Sequence, residues 1–214
     1  MPGQGGPGGG MEADASAMIT ISGGNLTIDA DGDGIDSNGS FTMSGGNVYV
    51  AGPTNDGNGA LDTGEEATIT GGTIIAVGSS GMATSFSSSS SQASVMVYLD
   101  SATTGTVSLK DSSGAVIASF DTDKQYSSVV ISTPDLLVGE KYTLVCGSQE
   151  TSVEVTDTVT QGRQRIWSDG WRGRHGYRRC RCWWRGRRGR HGYRRCRCWW
   201  RGRRGRHGCQ RCSF

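Results

Sequence analysis

Between residues 18 and 76 apolar and polar positions alternate in short runs, and the runs recur. Ile19-Thr20-Ile21-Ser22-Gly23-Gly24-Asn25-Leu26-Thr27-Ile28 is followed by Phe41-Thr42-Met43-Ser44-Gly45-Gly46-Asn47-Val48-Tyr49-Val50, and then by Ala67-Thr68-Ile69-Thr70-Gly71-Gly72-Thr73-Ile74-Ile75-Ala76. The Gly pairs lie 22 and 26 residues apart, a period in the range of solenoids. Alternation with period two and abundant β-branched residues predict strands, and the i, i+3, i+4 spacing of a helix is missing. Each copy predicts two short strands around a Gly-Gly corner, where glycine permits positive φ. Stacked coils would pair equivalent strands in parallel. Leu26, Val48 and Ile74 would then form one inward row and Ile28, Val50 and Ala76 a second, with Ile21, Met43 and Ile69 also inside. One coil cannot bury such a row, so the repeats stabilise one another. Parallel crossovers of this kind are overwhelmingly right-handed. The first coil has no partner beneath it, which predicts further coils upstream of this sequence.

The pattern changes after a serine tract, Ser87–Ser91, which reads as a linker. Short strands are predicted at Val95–Leu99, Thr106–Lys110, Val116–Phe120, Ser128–Ser132, Tyr142–Val145 and Ser152–Val155. They are separated by turn signals such as Asp111-Ser112-Ser113-Gly114. Their spacing suggests a small antiparallel sandwich, able to cover the open end of the coils. The expected fold is therefore all-β: right-handed parallel β-helix coils over 18–94 and an antiparallel β-sandwich-like cap over 95–158. A Gly/Pro-rich linker over 1–17 precedes them and a tail over 159–214 follows.

Charge divides the chain more sharply than its formal net value of +2 implies. Residues 1–160 hold 19 acids against three lysines, a formal charge of −16, and residues 161–214 hold 19 arginines against Asp169 alone, a formal charge of +18. The body is rich in Gly, Ser, Thr and Asp with Cys146 as its single cysteine, a composition that suits an extracellular or cell-surface protein. The first residues carry neither a basic nor an apolar stretch and do not read as a signal peptide, so a secretion signal is expected further upstream. No window approaches the roughly 18 apolar residues of a membrane span.

Candidate chemistry lies in the loops between coils. Asp29-Ala30-Asp31-Gly32-Asp33-Gly34-Ile35-Asp36-Ser37-Asn38 aligns with Asn55-Asp56-Gly57-Asn58-Gly59-Ala60-Leu61-Asp62, so that Asp31 matches Asp56, Asp33 matches Asn58 and Asp36 matches Asp62. Stacking would set carboxylate above carboxylate at about 4.8 Å, a repulsive arrangement unless a cation neutralises it. Hard oxygen donors on Gly-flexible loops suit Ca²⁺, which takes roughly 6–8 oxygens in tolerant geometry. The candidate metal ligands are Asp29, Asp31, Asp33, Asp36, Asp56, Asn58 and Asp62, with Asn38, Asn55 and Tyr49 as ligand-contacting residues. The competing explanation is turn chemistry, in which Asp and Asn simply hydrogen-bond their own backbone. The Asp29-x-Asp31-x-Asp33-Gly34 run also matches the start of an EF-hand loop. Its twelfth position is Ser40 rather than Glu, and no helices flank it.

Residues 12–158 resemble the C-terminal part of a bacterial family of carbohydrate-binding domain-containing proteins. The likeness rests on Ile21-Ser-Gly-Gly24, Asp31-Gly-Asp-Gly-Ile-Asp-Ser-Asn-Gly39, Gly52-Pro-Thr-Asn-Asp-Gly-Asn-Gly-Ala-Leu-Asp62, Ala76-Val-Gly-Ser-Ser-Gly-Met82 and Ser128-Val-Val-Ile-Ser132. The second loop departs from the pattern, with Thr63-Gly64-Glu65 where an aromatic is expected. The resemblance implies right-handed parallel β-helices, calcium, and non-catalytic binding of pectic polygalacturonate. Charge agrees independently: residues 1–94 hold ten acids and no Lys, Arg or His. Such a surface would repel a polyanionic glycan unless Ca²⁺ bridges the two. A neutral glycan would need aromatic platforms, and Phe41 and Tyr49 are the only aromatics before Phe86. The alternatives are a polysaccharide lyase or hydrolase on the same fold, or a purely structural cell-surface β-solenoid. A lyase would need a basic residue beside its calcium, and a hydrolase a carboxylate pair with one raised pKa. No residue of the loops stands out for either role, so the chain is expected not to be an enzyme.

In the tail, residues 174–189 recur without change as 190–205. Arginines interleaved with aromatics suggest nucleic-acid binding. The pairs Cys180/Cys182, Cys196/Cys198 and Cys209/Cys212, with His175, His191 and His207, suggest zinc. Neither is favoured, because after Gln161 the tail lacks Lys, Leu, Val, Ala, Thr, Pro, Glu, Asn and Met altogether. That vocabulary is what a GC-rich repeat yields out of frame. No nucleic-acid partner is expected, and without an apolar period the tail is expected to be disordered. Sequencing the gene across codon 160 is expected to reveal a frame change. An intact frame, with the Arg-rich peptide detected by mass spectrometry, would refute it.

Overall fold

A computed structural model describes residues 14–163. The linker residues before 14 and the repeat tail from 164 onward lie outside the described residues, as do the expectations placed on them. Twelve strands follow in order: β1 (Met18–Asp29), β2 (Ile35–Ser37), β3 (Ser40–Ala51), β4 (Leu61–Thr63), β5 (Ala67–Gly78), β6 (Ser94–Thr103), β7 (Val107–Lys110), β8 (Val116–Phe120), β9 (Tyr126–Ser132), β10 (Lys141–Cys146), β11 (Gln149–Glu154) and β12 (Val159–Arg163). The fold of the described residues is all-β, with no helix. Its three sheets are a six-stranded one in the order β1-β3-β5-β9-β6-β12, a four-stranded one in the order β11-β10-β7-β8, and the pair β2-β4.

The three repeats pair in parallel as their alternation requires. Leu26 lies opposite Val48 and Ile28 opposite Val50, and the rows continue to Ile74 and Ala76. Met43, Val48, Val50, Ile69 and Ile74 are fully buried, each worth about 1.5–3 kcal/mol of burial. Ile21 and Ile28 are half-buried, and Leu26 is exposed, because β1 is the edge of the sheet. Each Gly-Gly motif lies inside one continuous strand of 12 residues rather than at a corner between two strands. The register slips there and recovers by the following Asn or Thr. The second glycine carries the irregularity, with φ of 83° at Gly24, 90° at Gly46 and 92° at Gly72. The repeats approach closely at these points: a Cβ on Gly72 would stand 2.7 Å from the Gly45 carbonyl carbon.

All six strands expected after residue 94 form, but they are shared between two sheets. β9 pairs antiparallel with β5 on one side and with β6 on the other, so the parallel sheet continues as a mixed one. The remaining four, β7, β8, β10 and β11, make an antiparallel sheet. A further strand, β12, pairs in parallel with β6 and takes up the first residues of the segment assigned to the tail. The middle of the large sheet, at the second half of β5, β9 and the first half of β6, is buried on both faces. Ile75, Val77, Val95, Val97, Val129 and Ile131 join Leu109, Leu144 and Val155 in the core shared with the four-stranded sheet. Ile74, Ala76, Met96 and Val130 face the other way, toward Met43, Ile35, Leu61 and Phe86. This explains the unbroken apolar runs Ile74–Val77, Val95–Val97 and Val129–Ile131, since a strand covered on both sides has no polar face.

The serine tract is not a free linker. Ser87 N–H donates to the Ala67 carbonyl at 2.7 Å and Ser91 N–H to the Ile69 carbonyl at 3.1 Å. Ser90 is buried, and its hydroxyl accepts from Ile69 N–H at 3.1 Å. The tract therefore runs along β5 as a hydrogen-bonding partner, a role the small Ser side chain permits.

Substituting Gly72→Ala is expected to destabilise the protein by about 1–3 kcal/mol or more, from positive-φ strain compounded by the backbone clash. Gly32→Ala, which meets nothing within 4 Å, is expected to melt close to wild type. Thermal unfolding of the two variants side by side checks this.

Candidate functional site

The acidic loops are set by the short pair β2-β4. Ile35 and Leu61 are buried at 4% and 1% exposure and pair directly, which fixes the register of the residues beside them. Side chains alternate along a strand, so Asp36 and Asp62, the next pair in register, emerge together on the outer side. Ser37 turns back inward, where its hydroxyl donates to the Ser40 carbonyl at 3.0 Å. The approach to β2 is equally tight. Gly34 N–H donates to the Gly59 carbonyl at 3.0 Å, and a Cβ on Gly34 would meet the Ala60 carbonyl oxygen.

Three carboxylates gather here. Burial, and then the charges of Asp33 and Asp36, raise the Asp62 pKa above its ordinary value. Asp33 is partly committed: its Oδ1 accepts from Gly59 N–H at 2.7 Å. Asn58 lies between the loops, with one terminal amide atom 3.1 Å from Asn55 Oδ1 and the other 3.3 Å from Asp33 Oδ2.

The other predicted ligands are held elsewhere. Lys124, in the segment between β8 and β9, reaches across to Asp29 Oδ1 at 2.6 Å and Asp31 Oδ1 at 3.1 Å. Its ammonium also donates to the Ala30 carbonyl at 2.6 Å. Burial lowers the Lys124 pKa, but the hydrogen bonds and charges of Asp29 and Asp31 outweigh that, and the net direction is upward. Asp56 Oδ1 accepts from Gly81 N–H at 3.0 Å. Asn55 donates to the Asp31 carbonyl at 3.3 Å and accepts from Gly57 N–H at 3.1 Å, which is the turn chemistry that competed with metal binding. Asn38 is exposed and contributes its backbone carbonyl to Asp14 N–H at 2.8 Å. Tyr49 lies half-buried against the core shared with the four-stranded sheet. Its ring stacks on Phe120 with centroids 5.3 Å apart.

The seven predicted ligands therefore do not converge on one point, and among the described residues no group of three or more His, Cys, Asp or Glu is placed to hold a metal ion. Of the predicted acids, Asp33, Asp36 and Asp62 are the three whose charges are coupled through Asp62. Lys124 is the residue that sequence reasoning missed. It lies 93 positions after Asp31, and only the turn between β8 and β9 brings it to the acidic loop. The available signal was its isolation, as one of three lysines in the chain.

Asp62→Asn is expected to stabilise the protein at neutral pH. A carboxylate whose folded pKa is raised binds its proton more tightly in the folded state, so its contribution is unfavourable above that pKa and vanishes below the unfolded value. The gain in melting temperature should accordingly be present at pH 7 and absent below the ordinary carboxylate value of 3.8. An Asp62→Asn variant less stable than wild type at pH 7 would refute the repulsion. Comparison with protein-family models, with curated proteins and with solved structures gives no match, so function is argued from this geometry.

Proposed function

We propose that the chain is a non-catalytic carbohydrate-binding protein, extracellular or at the cell surface, whose repeats are coils of a right-handed parallel β-helix. In this reading it holds an acidic glycan of the polygalacturonate type through Ca²⁺. The observation that carries it is the in-register pair Asp36 and Asp62, with Asp33 close enough for its charge to help raise the Asp62 pKa. Lys124 already pairs with Asp29 and Asp31, so the cation is assigned to the remaining trio rather than to the whole acidic set. A uronate polymer suits such an open site, because its own carboxylates supply the oxygens that the protein lacks.

A structural solenoid is the second reading. It is favoured by the use of Asp33 and Asp56 as acceptors for the Gly59 and Gly81 N–H groups of the following loop. A hydrolase is not supported. It would need a second carboxylate in a defined opposing position, whereas the neighbours of Asp62 lie beside it on the same surface.

The full chain is expected to bind polygalacturonate in the presence of Ca²⁺ and to lose it in EDTA. Asp36→Asn/Asp62→Asn should weaken binding by roughly an order of magnitude while circular dichroism stays unchanged, in keeping with the cost of removing charged hydrogen-bonding groups. Binding undiminished in EDTA would sink the calcium bridge. Release of reducing or unsaturated ends would make the protein an enzyme. No binding, with a melting temperature indifferent to Ca²⁺, would leave the structural reading.

A further inference from the structure

Lys124 is set apart from the other two lysines. Lys110 and Lys141 pair with Glu150 and Glu154 inside the four-stranded sheet, whereas Lys124 crosses from the turn after β8 to the first acidic loop. An ammonium has three N–H donors and no acceptor. Here three oxygens surround it: Asp29 Oδ1 at 2.6 Å, Asp31 Oδ1 at 3.1 Å and the Ala30 carbonyl at 2.6 Å. Three consecutive residues of one loop therefore fill its whole donor capacity. The lysine side chain is 19% exposed, while those of Asp29 and Asp31 remain open to solvent. What marks the position is a positive group already seated there, not the acidity of the loop.

Both ends of the contact are held independently of it. Lys124 N–H donates to Thr122 Oγ1 at 3.1 Å, and the Thr122 carbonyl accepts from Gly105 N–H at 2.9 Å. On the other side Ala30 N–H donates to the Ala51 carbonyl at 2.9 Å, and the Asp31 carbonyl accepts from Asn55 at 3.3 Å. The approach is across the sheet rather than along the stack of repeats. Asp29 alternates with Thr27, whose register partner Tyr49 stacks on Phe120 of β8. Lys124 thus comes from the face that the four-stranded sheet covers, and the contact is independent of what pairs with the outer edge of β1. We propose that Lys124 is a resident cation: its ammonium fills the position on the first acidic loop that a metal ion would otherwise take, and so confines divalent cations to Asp33, Asp36 and Asp62. The second half of this statement rests on the calcium reading of that trio, but the seat itself does not. Removing the ammonium leaves two carboxylates and a carbonyl oxygen around an emptied position. A hard cation takes such oxygens and completes its shell with water, for which the exposed carboxylates leave room.

Thermal melts of the full chain in EDTA and in Ca²⁺ test the assignment. In EDTA, Lys124→Met is expected to melt below wild type by about 2–4 °C. Ca²⁺ should raise it by more than it raises wild type and close most of that gap. Lys124→Met/Asp29→Asn/Asp31→Asn, which lacks the carboxylates of the seat, should show no such excess. Should Lys124→Met not fold in EDTA, recovery of the native circular dichroism spectrum on adding Ca²⁺ is the supporting result, and failure to recover overturns the proposal. Lys124→Met that melts with wild type in EDTA would overturn it too, as would a Ca²⁺ shift no larger than that of wild type. So would an excess shift that survives in the triple variant, because the ion would then sit elsewhere. A wild type indifferent to Ca²⁺ beside a responsive Lys124→Met would sink the calcium reading of the trio and support the role of Lys124. Equal shifts in the two would sink the role of Lys124 alone.

Discussion

Close approach of one backbone to the next at the Gly-Gly positions is the constraint on which the parallel half depends. The carbonyl of Ser22 occupies the space a Gly45 side chain would need, and the carbonyl of Ser44 that of Gly71. With those contacts made, Leu26, Val48 and Ile74 stack in register. Without them the strands would separate and the apolar row would open to water. Polar ladders run beside the apolar rows: Asn47 donates to Asn25 at 2.9 Å, and Thr42 and Thr68 lie 3.2 Å apart through their hydroxyls. These cross-strand pairs resist a slip of one residue, which would turn every inward side chain outward.

The same stacking brings the loops together and creates their electrostatic problem. Successive loops exchange hydrogen bonds, Asp33 with Gly59 and Asp56 with Gly81, and so align their acids. Part of the resulting repulsion is relieved within the chain by Lys124. The rest lies among Asp33, Asp36 and Asp62, where burial first and then the charges of Asp33 and Asp36 raise the pKa of Asp62. A bridging cation of the kind proposed would relieve this residual negative field.

The change from parallel to antiparallel pairing between β5 and β9 joins the two halves of the described chain. A parallel neighbour would require another long crossover, whereas an antiparallel one can arrive from a sheet built by hairpins. β9 serves both β5 and β6, so its residues Val129, Val130 and Ile131 are buried on both faces. The core between the two large sheets therefore contains residues from both halves, and the buried hydroxyl of Tyr142, which accepts from Leu137 N–H at 2.8 Å and donates to the Asp135 carbonyl at 2.9 Å, ties down the approach to β10.

The sequence by itself determined what is local and periodic. Alternation at Ile19–Ile28, Phe41–Val50 and Ala67–Ala76 specified strands, their recurrence specified parallel registers, and turn residues bounded the six later strands. The Asp36–Asp62 register was legible too, because it follows from the same repeat. The tertiary structure alone decided which strands meet across long separations: that β9 joins β5, that the serine tract lines β5, that Tyr49 is covered by Phe120, and that Lys124 lands on Asp29 and Asp31. None of these has a periodic signature. Each depends on where two sheets pack, and packing is selected by the fit of many side chains at once rather than by any short pattern along the chain.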